Sequence, residues 1–184
     1  MHNFYDSTLW RLQPTPSLQP LQKQWLTRPG ALTQALRSLG PLNLRVLAEY
    51  PDGITAEEAT LMGCRTRSPV WIREIAMDIR GLDCVGARSI TPLSASHSTW
   101  QGMRRLRGRP LADILYNDIA ITRSVFEFAR LTRYASIYRT VLEVSERTLS
   151  PSALLARRSV FWRQGEPLLV TECFLPAFWS MLKT

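Results

Sequence analysis

Histidine is almost missing from this 184-residue chain, which holds only His2 at the N-terminus and His97 in a Ser-rich stretch. A histidine-based triad, proton shuttle or zinc site therefore has almost no material. Cysteine is scarce too. Cys64, Cys84 and Cys173 lie far apart, form no CxxC pair and are odd in number, which argues against a disulfide framework and fits a reducing cytoplasm. No run approaches the ~20 apolar residues of a membrane span, and the first residues lack the basic, apolar and small-residue regions of a secretory signal. Neither stable membrane insertion nor export is expected, and the localisation expected is cytoplasmic. No metal or cofactor is expected either, so any chemistry must rest on carboxylates, arginines and backbone.

What is present suits a single domain with a sizeable core. The hydrophobic content of 45% is ordinary, while the net charge of +8 admits three partners: nucleic acid, an anionic membrane surface, or a small anionic substrate. The densest basic cluster is "MRRLRGRP", with Arg104, Arg105, Arg107 and Arg109. It lacks the interleaved aromatics of a single-strand platform, and no helix-turn-helix accompanies it. A solvated face is the plain alternative, and no nucleic-acid partner is expected.

Along the chain, Pro14, Pro16 and Pro20 make residues 1–20 an extended arm, ahead of one domain over 21–184. Leu21, Trp25 and Leu26 suit a short helix stopped by "RPG". In "ALTQALRSLG", Leu32, Ala35, Leu36 and Leu39 share the face of a second. "LNLRVLAEY" is β-type and "PDG" a turn. "SPVWIREIAMDIRGLDCVGARSITPL" predicts two strands around "RGLD". A helix is expected near Trp100–Leu106 and another at "PLADILYN"; "AITRSVFEFARL" predicts a strand, and residues 132–153 are ambiguous. "ARRSVFWRQGEPLLVTECFLPAF" predicts two strands joined at "QGEP". The economical fold is a mainly antiparallel sheet with helices on one side.

Two charged positions stand out. Glu172 alternates with Leu168, Val170 and Phe174 on one strand face, so it must be solvent-facing, paired, or kept for a ligand. Isolated from water, it could serve as a neutral proton donor. Arg73 shares its face with Trp71, Ile75 and Met77, while Glu74 points the opposite way. A buried guanidinium wants a bidentate acceptor, and a structural pair between Arg73 and Glu172 is the plain alternative. Arg88 lies on the partner strand. Of Arg157 and Arg158, at most one faces a pocket.

In order and spacing, "VWIREI", "ARSITPLS", "RPL", "AITRS" and "RRSVFWRQGEPLLVTECFLP" resemble bacterial chorismate lyase over about Trp25 to Pro176. The resemblance implies an α+β fold, a single antiparallel sheet flanked by helices with an enclosed ligand site. It also implies conversion of chorismate to 4-hydroxybenzoate and pyruvate at the start of ubiquinone synthesis, by a monomer without cofactor. Carried over by position, Arg73 is the substrate-site arginine and Glu172 the acidic residue. Leu32 and Leu111 make backbone contacts, and Arg88 is a second arginine of the pocket region. Arg73 would then anchor the ring carboxylate, Glu172 engage the ring hydroxyl and Arg88 stabilise the enolpyruvyl carboxylate. The stretch between "SVFEFARL" and "ARRS" exceeds that of compact family members by roughly twenty residues, a length expected of a lid, an interface or a disordered loop. A non-catalytic sensor of the same fold is the competing reading.

Overall fold

The computed structural model describes residues 9–145 and 154–183. Seven strands among these residues form one sheet: β1 (Leu42–Gly53), β2 (Pro69–Ile79), β3 (Leu82–Pro92), β4 (Thr122–Arg123), β5 (Glu127–Arg130), β6 (Leu155–Arg163) and β7 (Glu166–Phe174). Their order is β1-β2-β3-β7-β6-β4, with β5 also on β6, and every pairing is antiparallel.

Turn chemistry sets the two central hairpins. Arg80 and Gly81 (φ 54° and 81°) join β2 to β3, and Gln164 and Gly165 (φ 51° and 79°) join β6 to β7. Two successive left-handed residues match the twist of a two-residue hairpin, and glycine takes the second position without steric cost. Elsewhere the expectations need adjusting. β1 runs on through Pro51–Gly53 instead of turning there, because β1 is an edge strand whose outer side asks nothing of a proline. "AITRSVFEFARL" divides into β4 and β5, with Ser124 bonding to Val160 between them.

Helices cover both faces of the sheet, not one. On the first face α1 (Pro20–Thr27), α2 (Leu32–Arg37) and α7 (Pro176–Met181) seal a core of Trp25, Leu36, Met77, Phe174 and Phe178. The short α4 (Gln101–Arg104) and α5 (Ala112–Leu115) pack beside them around Trp100, Met103 and Leu115. On the second face, α3 (Ala56–Met62) lies over Val70, Ile72 and Leu169. There α6 (Tyr138–Val144) lies over Ala76, Ala156 and Cys173. Gly86 permits α6 to approach closely, since a Cβ there would meet Val141 Cγ2 at 3.3 Å. The extended segment thus supplies, over residues 132–145, a helix on the second face; residues 146–153 lie outside the described residues. Residues 9–19 of the arm are docked: Arg11 and Phe128 exchange backbone hydrogen bonds of 2.8 and 2.7 Å, and Leu18 enters the core.

Three one-residue irregularities decide which charges meet. Leu47 is an extra residue in β1, so the pairing passes from Val46–Ile75 to Ala48–Glu74 and sets Glu49 opposite Arg73. Cys84 is extra in β3. From Ile79–Leu82 an unbroken register would set Arg73 opposite Arg88, but the shift between Met77 and Asp78 sets Arg73 opposite Ser89 and Glu74 opposite Arg88. Between β4 and β5, Arg123 faces Phe161 and Glu127 faces Arg158, so four steps on one chain span three on the other. A slip of one residue exchanges the faces. Arg123 and Glu127 consequently point to opposite sides.

Candidate functional site

The first face of the sheet, roofed by α2 and α5, carries a partly open cavity. Its floor is Ile75 and Met77 of β2, Ala87 and Ser89 of β3, Val170 and Glu172 of β7, and Arg157, Ser159 and Phe161 of β6. Leu32 and Leu111 form part of its roof, and Tyr116 and Arg123 line one side. Leu32 opens α2 and Leu111 immediately precedes α5, so neither backbone N–H has an acceptor within its own helix.

Glu172 lines the cavity and is paired. Arg157 directly across on β6 donates through Nε to Glu172 Oε2 at 2.7 Å. Arg157 is 1% exposed, and its Nη1 also meets the carbonyl oxygens of Trp25, Leu26 and Arg28 at 3.4, 3.3 and 2.8 Å. One arginine thereby ties the acid to the end of α1. Alternation leaves room for one of Arg157 and Arg158 in a pocket, and it is Arg157.

Arg73 projects from the same face of the sheet, two residues before Ile75 on β2, but it is not among the residues that line the cavity. It is also 1% exposed, yet it does not pair with Glu172. Its Nη2 donates to the carbonyls of Arg107 and Arg109 at 2.8 and 3.0 Å, just ahead of Leu111, and its Nε lies 3.2 Å from Glu49 Oε1. Within the described residues, Nη1 has no hydrogen-bond partner. Burial holds the guanidinium below its usual pKa, with the charge of Glu49 acting in the opposite sense, though arginine remains protonated in proteins. The basic stretch is therefore partly structural. Its backbone caps Arg73, Arg104 stacks over Trp71 at 3.7 Å, and Arg105, Arg107 and Arg109 are exposed.

Arg88 is a correction. It lies on the second face, where it pairs with Glu58 and approaches Glu74 at 3.6 Å; Ser136 and Thr140 complete the carboxylates at 2.8 Å each. Arg158 is beside them, bonded to Glu57 and, at 2.7 Å, to Glu127. The extra residue at Cys84 put Arg88 there, and the whole thickness of the sheet separates it from the cavity. Arg73 and Glu74 are both buried, on opposite faces.

Alternation and motif spacing miss Arg123, Tyr116 and Glu49. Arg123 donates through Nε to Ser159 Oγ at 2.9 Å and through Nη1 to the Tyr116 hydroxyl at 3.2 Å, with its guanidinium 3.7 Å from the Phe126 ring centroid. Burial lowers the Arg123 pKa and raises that of Tyr116. The "ITR" stretch is legible as strand, but its face depends on the break after Arg123.

An antiparallel sheet with helices on both sides and a cavity lined by Arg123 and Arg157 is an α+β architecture suited to holding a small anion. The chain belongs to the chorismate lyase family, whose sequence model matches residues 5–184. It is 55% identical over 174 residues to the "Probable chorismate pyruvate-lyase" of Bordetella pertussis, covering 95% of this chain and 92% of that one. It is 40% identical over 176 residues to "Probable chorismate pyruvate-lyase 1" of Pseudomonas entomophila, covering 95% and 93%. Among solved structures, the C-terminal domain of the histidine utilization repressor of Pseudomonas syringae superposes with a TM-score of 0.52 at 10% identity, over 74% of this chain and 92% of that one. A GntR-family transcriptional regulator of Bacillus cereus gives 0.51 at 9% identity, over 73% and 92%. These two share the fold alone.

Proposed function

We propose that this protein is a chorismate lyase that forms 4-hydroxybenzoate and pyruvate at the start of ubiquinone biosynthesis, acting as a cytoplasmic monomer. The observation that carries the site assignment is Arg73, a buried cation outside the cavity lining with a donor that no described residue accepts from, on the same face of the sheet as Glu172. Leaving a buried charged donor unmade is costly, so the position favours an acceptor that arrives with a ligand. The family match gives that ligand its identity, a ring carboxylate.

In this reading Arg73 takes the ring carboxylate. Glu172, held by Arg157, meets the ring hydroxyl, and the backbone N–H groups at Leu32 and Leu111 contact the ligand from the roof. The ether carbon–oxygen bond breaks, the hydrogen on the hydroxyl-bearing carbon leaves, and the ring becomes aromatic. The released enolpyruvate gains a proton at its methylene carbon and is then pyruvate. Aromatisation supplies driving force, so the protein chiefly holds these atoms in a reactive geometry away from water. Among the described residues no helix is long and apolar enough to cross a membrane, and the three thiols are free, which fits action in a reducing compartment.

The test is to mix the purified protein with chorismate, without metal or cofactor, and to follow both products. Equimolar 4-hydroxybenzoate and pyruvate, lost in Arg73→Ala, supports the reading. Intact chorismate with calorimetric binding of 4-hydroxybenzoate would instead favour a sensor, the use suggested by the fold's likeness to transcription regulators. Near-normal turnover in Glu172→Gln would leave Glu172 as an orienting group and remove proton transfer from its role.

A further inference from the structure

Chorismate carries two carboxylates, and one arginine accounts for one of them. Three guanidinium groups share this face of the sheet: Arg157 and Arg123 in the cavity lining, and Arg73 on β2, outside the lining. Arg157 is already engaged, by Glu172 and three backbone carbonyls. Arg123 is different. Its contacts are the neutral Ser159 and Tyr116 hydroxyls and the rings of Phe126 and Phe161, at 3.7 and 5.1 Å, and among the described residues no carboxylate forms an ion pair with it within 4.0 Å. Hydroxyls and aromatic faces fix the plane of a guanidinium without neutralising it. A half-buried cation so held is prepared for an anion.

Position identifies which anion. In chorismate the enolpyruvyl ether is on the ring carbon next to the hydroxyl-bearing one. With the hydroxyl at Glu172, the second carboxylate must lie towards the Glu172 end of the cavity, away from Arg73. Arg123 is at that end: it bonds Ser159, two residues along β6 from the Arg157 that holds Glu172, and the charges of Glu172 and Arg157 act on it in opposite senses.

We infer that Arg123 is the contact for the enolpyruvyl carboxylate, and so a determinant of selectivity for substrate over aromatic product. The inference rests on the chorismate lyase reading and replaces Arg88 in that role. 4-Hydroxybenzoate keeps the ring carboxylate for Arg73 and the hydroxyl for Glu172, but the second carboxylate departs with pyruvate. Arg123 therefore separates the two ligands.

The experiment compares the unmodified protein with Arg123→Gln and Arg123→Lys, measuring kcat and KM for chorismate and the Kd of 4-hydroxybenzoate by calorimetry. Losing a charge-assisted contact predicts a fall in kcat/KM of roughly 10- to 100-fold in Arg123→Gln. Most of that fall lies in KM, and Arg123→Lys recovers part of it. The Kd of 4-hydroxybenzoate stays within about threefold, which also reports that the variant is folded. Equal weakening of both ligands would make Arg123 a structural residue and overturn the inference, as would unchanged kinetics. If the unmodified protein turns over no chorismate, the reading beneath the inference fails and the inference falls with it.

Discussion

On the second face of the sheet, Arg88 and Arg158 meet four carboxylates, Glu57, Glu58, Glu74 and Glu127; on the cavity face, Arg73, Arg123 and Arg157 meet two, Glu49 and Glu172. The first group is closed. Ser136 and Thr140 supply further hydrogen bonds, Trp10 stacks 4.2 Å from Arg158, and α3 and α6 cover the cluster. Such a network holds helices to a sheet, and its worth lies mainly in the penalty for breaking it. The second group is left open, with Arg73 Nη1 without a partner and Arg123 without a counter-ion among the described residues. Equal residue types thus divide into structure and site according to how many acceptors the fold places around them.

Breaking the closed face should show the largest effect. Arg88→Ala leaves Glu58 and Glu74 buried without their cation and is expected to cost about 3–5 kcal/mol of stability. Chemical denaturation measures that loss, and the folded fraction should turn over chorismate at a rate close to normal; a selective loss of kcat/KM would return Arg88 to the site. Arg73→Ala should do the reverse, lowering kcat/KM by roughly 10²- to 10³-fold and weakening 4-hydroxybenzoate binding in calorimetry. Next comes Gly86→Val, which presses on Val141 from beneath α6 and should cost about 1–3 kcal/mol by overpacking. Thermal unfolding checks it, with recovery expected on adding Val141→Ala and kinetics unaltered throughout. The smallest effect concerns the thiols. Burial pushes Cys84 up to about 11 and Cys173 higher still, so alkylation followed by mass spectrometry should modify the half-buried Cys64 first and reach the other two only on unfolding.

Much of this arrangement is legible in the residues alone. The hairpins at "RGLD" and "QGEP" announce themselves by glycine in the second turn position, and strict alternation puts Arg73 with Ile75 and Met77, and Glu172 with Val170. The same alternation separates Arg157 from Arg158. Leu32 and Leu111, taken from the family resemblance, do line the cavity. Glu49 and Arg123 escape such a reading, because each reaches the cavity face only through an irregularity in an edge strand. Arg88 is assigned to the pocket region by the family resemblance, not by alternation, and nothing local to "GLDCVGARS" marks Cys84 as the extra residue that accompanies its place on the other face.

By itself, then, the sequence determined the strands, the tight turns, the buried faces of long unbroken segments and the family, all of which follow from periodicity and from residues close together in the chain. Tertiary structure alone decided the registers. A bulge forms where pairing, packing and burial across two strands are jointly best satisfied, and one extra residue reverses the side to which every later side chain points. That reversal sent Arg88 to the closed face and brought Glu49 to Arg73, while the break between β4 and β5 left Arg123 facing the cavity.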